Sequence, residues 1–287
     1  MIISVASGKG GTGKTTIAVN LALSLENVQF LDCDVEEPNA HLFLKPDITG
    51  KTKAFIPVPE VDDNKCNYCG RCREVCAYNA IAVIKPGESG KGSVLIFSQL
   101  CHGCGACSTL CPEQAIKETN REIGWIQTGN TDSMIFVDGC LNIGETMSPP
   151  LIRQVKLNID KTKTVIIDAP PGTSCPVITT VKGSDFCILV TEPTPFGLND
   201  LILAVEVLRK LSIPFGVVVN RANIGDDEVN KYCKKENIPV LLEIPFDREI
   251  AVAYSKGVSI VKTQPQYKAI FEKMYTEISK MQSGGNK

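Results

Sequence analysis

Eight of the 13 cysteines in this 287-residue chain stand in two runs of one form, C-x2-C-x2-C-x3-C: Cys66, Cys69, Cys72, Cys76 and Cys101, Cys104, Cys107, Cys111. The second run repeats the first at an offset of 35 residues, and no other internal repeat is visible. Thiolates at this density are metal ligands. A C-x2-C-x2-C stretch wraps three sulfurs around an iron-sulfur cube on one tight loop, and the fourth thiolate of a [4Fe-4S] centre comes from elsewhere. Zinc competes for thiolates, but its sites favour separated cysteine pairs and often include histidine, unlike two unbroken four-cysteine runs. A disulfide framework needs an oxidising compartment. Here the N-terminus passes from a short apolar run into a glycine-rich loop with no cleavage-type signal. The expectation is a cytoplasmic protein with reduced, metal-binding thiols.

A second stretch carries different chemistry. Gly8-Lys9-Gly10-Gly11-Thr12-Gly13-Lys14-Thr15 satisfies G-x-x-x-x-G-K-[ST] and lies between an apolar run, Met1 to Ala6, and a helical pattern, Lys14 to Leu25. Glycines at these positions let backbone N–H groups converge on phosphate oxygens, and a helix N-terminus adds positive potential at the same point. Lys14 is placed to reach the β and γ phosphates and the Thr15 hydroxyl to bind Mg²⁺. His41 and His102 are the only histidines, which leaves little for histidine general-base chemistry. Phosphoryl transfer does not need it, since positioning and charge neutralisation do most of the work.

These residues need rigid elements behind them. Short apolar runs at Val28 to Leu31, Val165 to Ile167, Phe186 to Val190, Phe215 to Val219 and Val240 to Ile244 do not alternate, as strands covered on both faces should not. Helical stretches, including Leu198 to Leu211 and Asp226 to Glu236, lie between them. The alternation predicts an α/β fold with a mostly parallel sheet flanked by helices. The stretch from about Thr49 to Arg121, rich in Cys, Gly and Pro, breaks the pattern and is too long for a loop. It reads as an inserted small α+β domain, residues 51–121, within a discontinuous host formed by 1–50 and 122–287. Gln266 to Met281 reads as an amphipathic helix with Tyr267, Ile270, Phe271, Met274, Ile278 and Met281 on one stripe.

Lys9, directly after the first glycine, narrows the phosphate loop further. The run Lys9 to Thr16 resembles the deviant loop of the MinD, ParA, Mrp and nitrogenase-iron-protein superfamily of P-loop ATPases. That resemblance implies ATP or ADP with Mg²⁺ as ligands, and a homodimer when ATP is bound, with Lys9 reaching the partner's nucleotide as an arginine finger does. Asp32-Cys33-Asp34 matches the first switch and Asp168-Ala169-Pro170-Pro171-Gly172 the second. Asp34 is then the residue that orients the attacking water, while Asp32 and Asp168 support Mg²⁺. Asn220-Arg221 and Ile244-Pro245-Phe246-Asp247 resemble the segments that hold adenine.

The cysteine runs, with Cys69-Gly70 and Cys104-Gly105 and with Ala80-Ile81 and Ala115-Ile116 at equal offsets, resemble bacterial two-cluster ferredoxins. In those proteins the last cysteine of each run ligates the other cluster. The resemblance implies one [4Fe-4S] centre on Cys66, Cys69, Cys72 and Cys111, and another on Cys101, Cys104, Cys107 and Cys76. Cys111-Pro112 keeps the ferredoxin pattern; Cys76-Ala77 departs from it. Cys33, Cys187 and Cys233 read as small buried apolar residues. Cys140 and Cys175, 28 residues before and 7 after Asp168, are placed similarly to the interfacial cluster cysteines of the nitrogenase iron protein.

Composition limits the function. Lys and Arg total 30 against 32 Asp and Glu, a net charge of -2, so no broad positive field exists for nucleic acid. No apolar run approaches the roughly 18 residues of a membrane span. The resemblance implies an ATPase whose nucleotide-driven switching gates electron transfer to a protein redox partner or assembly of a metalloenzyme client's centre. The alternatives are an electron carrier whose nucleotide site is only regulatory, or a cluster scaffold. The C-terminal Cys-Pro-x-Cys of Mrp-like scaffolds is absent: after Cys175 only Cys187 and Cys233 remain.

Overall fold

The computed structural model describes residues 1–87, 90–131 and 134–284. In chain order the strands are β1 (Ile2–Ala6), β2 (Val28–Asp32), β3 (Asp47–Val61), β4 (Ile81–Ile84), β5 (Ser93–Ile96), β6 (Ile116–Asn130), β7 (Met134–Leu141), β8 (Thr164–Asp168), β9 (Phe186–Thr191), β10 (Phe215–Asn220) and β11 (Val240–Ile244). The helices are α1 (Lys14–Ser24), α2 (His41–Leu44), α3 (Arg71–Glu74), α4 (Ala106–Thr109), α5 (Pro149–Lys156), α6 (Cys175–Val181), α7 (Pro195–Lys210), α8 (Glu228–Lys235), α9 (Arg248–Ser255), α10 (Ile260–Thr263) and α11 (Gln266–Gly284). They group into two compact units, Met1–Thr52 with Ile126–Cys140 and Ile152–Lys287, and Lys53–Trp125 with Leu141–Leu151.

The large sheet runs β11-β10-β9-β1-β8-β2-β7-β6-β3. From β11 to β7 every pairing is parallel. Parallel strands need helical crossovers, which cover both faces and explain why β2 and β9 are buried along their whole length. Phe30, Phe136, Phe186, Ile3 and Ile166 are all fully or almost fully buried. Each such side chain stabilises the fold by about 1.5–3 kcal/mol relative to exposure. On one face, Tyr267, Phe271, Met274 and Ile278 of α11 join Ile17 and Leu21 of α1 in a single apolar cluster. Ile270 and Met281 flank that stripe and are 37% and 42% exposed, so the buried face is narrower than the periodicity suggested.

Register is what makes this sheet a platform. Asp32 pairs in register with Asp168 on one side and with Asp138 on the other. The carboxylates of both switch segments therefore reach the same level at the strand ends, beside the loop that follows β1.

The second unit is built on much less. Its hairpin pairs Ile81 with Ile96 and Ile84 with Ser93, and α3 and α4 are four residues each. The two cysteine runs are tied to its remaining backbone by Asp62 N–H to Ala115 O and Phe97 N–H to Ala80 O, at 2.7 and 2.8 Å. The segment Leu141–Leu151 also belongs here, whereas the sequence placed it with the phosphate-loop host. Asn142 N–H donates to Ile123 O at 3.0 Å and Arg121 pairs with Glu145, contacts between residues too distant in sequence for periodicity to show.

Candidate functional site

The loop after β1 enters α1 at Gly13, whose φ of 89° is left-handed and whose missing Cβ would collide with Asn220 Nδ2. Lys14, Thr15 and Thr16, the first residues of α1, line a cleft of about 1280 Å³ together with Lys9, Gly10, Gly11 and Gly13. The positive end of the helix therefore faces this cleft. Asp34, Asn220 and Pro245 line it as well. Four other residues singled out in the sequence do not. Gly8 packs against the backbone of Asp200 in α7, Thr12 is 2% exposed, and Asp32 and Asp168 lie beneath the floor at 0% exposure.

Those two buried aspartates have different tasks. Asp32 Oδ1 accepts the Asp34 N–H at 3.1 Å, and its Oδ2 accepts the N–H groups of Asn39 and Ala40 at 3.1 and 3.0 Å. Its carboxylate thus shapes the switch segment and leaves little capacity for a cation. Burial and the nearby Asp168 carboxylate raise its pKa, against the Ala40 N–H and Lys14. Asp168 Oδ1 accepts from Lys14 Nζ at 2.7 Å, while its buried Oδ2 has no hydrogen-bond partner. An orphaned oxygen of this kind costs of order 1–3 kcal/mol unless a bound group or water satisfies it. Were Mg²⁺ bound, this oxygen would accept a hydrogen bond from a coordinated water and the Thr15 hydroxyl would supply a direct oxygen ligand, so the donor set fits that cation.

Lys14 Nζ also lies 3.7 Å from Asp34 Oδ2. Burial opposes its charge, but Asp168 and Asp34 together outweigh burial and raise its pKa, so the ammonium is held ready for an anion. Burial pushes Asp34 up to about 6, with Lys14 pulling the other way. Asp34 is therefore ionised near neutral pH and protonated in mild acid. The second switch is tied to the phosphate loop by Gly172 N–H to Ser7 O, and the first to the second by Cys33 N–H to Asp168 O, both at 2.9 Å.

Beside the phosphate loop, Asn220 Nδ2 donates to Thr12 O at 2.9 Å and Asn220 Oδ1 accepts the Arg221 N–H. Phe246, Asp247, Ile250, Ala251 and Tyr254 complete this wall. Asp247 caps α9 by accepting the Glu249 N–H at 2.7 Å, which fixes Ile250 and Tyr254 on one helix face. The Tyr254 ring lies 5.0 Å from that of Phe43. Glu37 and Asn39 line the cleft too. Ile250, Ala251 and Tyr254 are hidden in the sequence because apolar residues on a short helix look like core, and Glu37 and Asn39 because polar residues in a loop carry no pattern.

In the second unit the thiols surround two hollows. Cys66, Cys69, Cys72 and Cys111 line one, and Cys76, Cys101, Cys104 and Cys107 line another, each of about 20 Å³. Backbone N–H groups point at four of the sulfurs in matched pairs. Tyr68 N–H donates to Cys66 Sγ and Gly103 N–H to Cys101 Sγ, each at 3.4 Å. Ala80 N–H donates to Cys76 Sγ at 3.3 Å and Ala115 N–H to Cys111 Sγ at 3.4 Å. These pairs keep the offset of 35 residues. Across the two runs, Tyr78 stacks on His102 with centroids 3.4 Å apart, and at the repeat-related positions Asn67 Nδ2 donates to Glu113 Oε1 at 2.9 Å.

Among the described residues no cysteine forms a disulfide. Among the described residues no three His, Cys, Asp or Glu side chains converge on a single metal ion. Burial pushes the Cys107 thiol up to about 11 and raises Cys72, so these sulfurs ionise most readily beside a cationic centre. Elsewhere Cys33, Cys187 and Cys233 are buried, Cys140 on β7 is half-buried, and Cys175 at the start of α6 is exposed. No helix among the described residues is long and apolar enough to cross a membrane.

A glycine-rich loop between a parallel strand and the N-terminus of α1, with Lys14 and Thr15 on the cleft side, defines a P-loop nucleotide-binding protein. The chain belongs to the CobQ/CobB/MinD/ParA nucleotide binding domain family, whose profile matches residues 3–260. It is 33% identical over 269 residues to an uncharacterized protein of Methanocaldococcus jannaschii, covering 91% of this chain and 92% of that one. It is 26% identical over 321 residues to the iron-sulfur cluster carrier protein of Pyrococcus horikoshii, covering 99% and 89%. Its fold is that of the septum site-determining protein MinD of Pyrococcus horikoshii, solved with Mg-ADP, at a TM-score of 0.60 and 20% identity, over 98% of this chain and 96% of that one.

Proposed function

We propose that the protein is an ATP-hydrolysing iron-sulfur protein in which nucleotide-driven switching and dimerisation act on the chemistry of two [4Fe-4S] clusters, for electron transfer to, or metal-centre assembly on, a partner protein. The carrying observation is the grouping of thiols: each hollow is lined by three cysteines of one run and the last of the other. Cys66, Cys69, Cys72 and Cys111 would hold one cluster and Cys76, Cys101, Cys104 and Cys107 the second. Two unbroken four-cysteine runs suit a pair of cubes better than zinc, whose sites favour separated cysteine pairs. When bound, such clusters supply one-electron redox chemistry, and N–H groups directed at their sulfurs raise the potential.

The nucleotide half of the proposal rests on Lys14, Asp34 and Asp168. Lys14 would neutralise the phosphates, Asp34 would orient the attacking water, and Asp168 Oδ2 would accept a hydrogen bond from water on Mg²⁺. Lys9, with Phe196 79% exposed at the start of α7, supports association with a second copy. Chain connectivity supports coupling: β3 and β6 carry the chain between the units, and β7 pairs with switch strand β2 before the chain continues into Leu141–Leu151.

The test is anaerobic purification with iron and sulfide counting and an ATPase assay on one preparation. About eight iron atoms per chain and Mg²⁺-dependent hydrolysis are expected. The name of the Pyrococcus horikoshii relative favours a second reading, in which the clusters are cargo. Loss of iron from the protein to an apo-acceptor during ATP turnover would select it.

A further inference from the structure

One carboxylate in the nucleotide unit is shared by two cations of the cleft. Glu192 follows β9 and its side chain is 11% exposed. Its Oε1 accepts from Arg221 Nη1 at 2.6 Å, and its Oε2 lies 3.9 Å from Lys9 Nζ. Lys9 and Arg221 both line the nucleotide cleft; Glu192 does not. The acid sits on a fixed turn. Thr194 N–H donates to Glu192 O at 2.8 Å, Gly197 N–H donates to Thr194 Oγ1 at 3.0 Å, and Asp226 N–H donates to Pro193 O at 3.2 Å. The carboxylate therefore cannot follow either cation.

We propose that Glu192 is a positioning residue that holds Lys9 back in the nucleotide-free chain and releases it to a triphosphate; this rests on the reading of Lys9 as a group that acts on nucleotide. The two contacts are unequal, and that decides which one opens. The Arg221 contact is a short charge-assisted hydrogen bond. The Lys9 contact, at 3.9 Å, is beyond hydrogen-bond range, and this difference in distance, not exposure (32% for Lys9, 49% for Arg221), ranks the two. When Lys9 swings away, Glu192 keeps Arg221, so no buried charge is left without a partner. Breaking the Arg221 contact instead would leave the nearly buried acid facing only a distant ammonium. Arg221 is the anchor and Lys9 the releasable arm. Asn220, adjacent to the anchor, bonds to Thr12 O in the phosphate loop, so the latch and the loop share one rigid frame.

The experiment uses the full chain, with Mg-ATP titrated while self-association is followed by sedimentation. Glu192→Gln removes the charge and keeps an acceptor for Arg221. It is expected to lower the ATP concentration at half-maximal association about three- to fivefold, the size of a partly exposed ion pair. Lys9→Ala is expected to lose association, and adding Glu192→Gln to it should change nothing further, which a purely structural role would not produce. Glu192→Asp, too short to reach Lys9, should behave as Glu192→Gln and serves if the amide disturbs folding. An unchanged midpoint in both Glu192 variants, with association lost in Lys9→Ala, overturns the latch alone. Wild-type association by Lys9→Ala, or none by the wild type, overturns the reading beneath it.

Discussion

The two units solve the problem of holding a polyvalent ligand in opposite ways. In the nucleotide unit the loop is positioned by a wide buried sheet, and its ammonium, carboxylates and helix terminus are set before any ligand arrives. Lys14 is already 2.7 Å from Asp168. In the cysteine unit the fully buried apolar side chains are few, among them Ala54, Ile123 and Ala115, and α3 and α4 have a single turn each. So small a core stabilises little. If this unit holds the proposed clusters, metal binding would contribute folding free energy there directly, as it does in other small metallo-domains. One site is built by the fold; the other would help to build it.

The largest effects should come from the residues that separate the two. Lys14→Ala removes the only deeply held cation of the phosphate site and should weaken ATP binding by at least about 100-fold, measured calorimetrically, with iron content unchanged. Loss of iron as well would mean that the units do not fold independently. Stripping iron with a chelator should do the reverse, exposing Lys53–Trp125 to proteolysis while nucleotide affinity stays within about twofold. Next in size, Cys111→Ala and Cys76→Ala should each remove about half of the iron. The electron paramagnetic resonance of the surviving centre should differ between them, since each variant empties a different hollow.

Asp34→Asn should slow hydrolysis roughly 10- to 100-fold with ATP affinity little changed. Because burial raises the Asp34 pKa to about 6, its carboxylate is charged above that value and neutral below it. Turnover by the wild type should therefore fall as pH drops through about 6, and the variant should lose that limb. The smallest effect is expected at the cleft's outer wall: Tyr254→Ala should weaken nucleotide binding about three- to tenfold through lost aromatic contact.

Much of this contrast was visible in the residues themselves. A phosphate loop is local, and the apolar runs β1, β8, β9 and β10 announce buried parallel strands without help from distant residues. The unit boundary was less legible. β7 contains Asp138, Gly139 and Cys140, which interrupt its apolar character, yet its Met134–Asp138 stretch pairs with the whole of β2. Leu141–Leu151 joins the cysteine unit through Arg121–Glu145 and Asn142–Ile123, contacts that no periodicity encodes. Asp32 stood out in the sequence through its Asp32-Cys33-Asp34 motif; that its two oxygens accept the backbone N–H groups of Asp34, Asn39 and Ala40 depends on how the following loop folds back, which no local pattern encodes. Tyr254 and Ile250 were hidden because residues lining a cleft and residues lining a core have the same apolar character.

If nucleotide state alters the proposed clusters' chemistry, a redox titration of the anaerobic holoprotein must change when Mg-ATP is added. A shift of about 60 mV or more in at least one cluster, a tenfold change in a one-electron equilibrium, is the expected result. Superimposable titrations, in a preparation that binds and hydrolyses ATP, would contradict it.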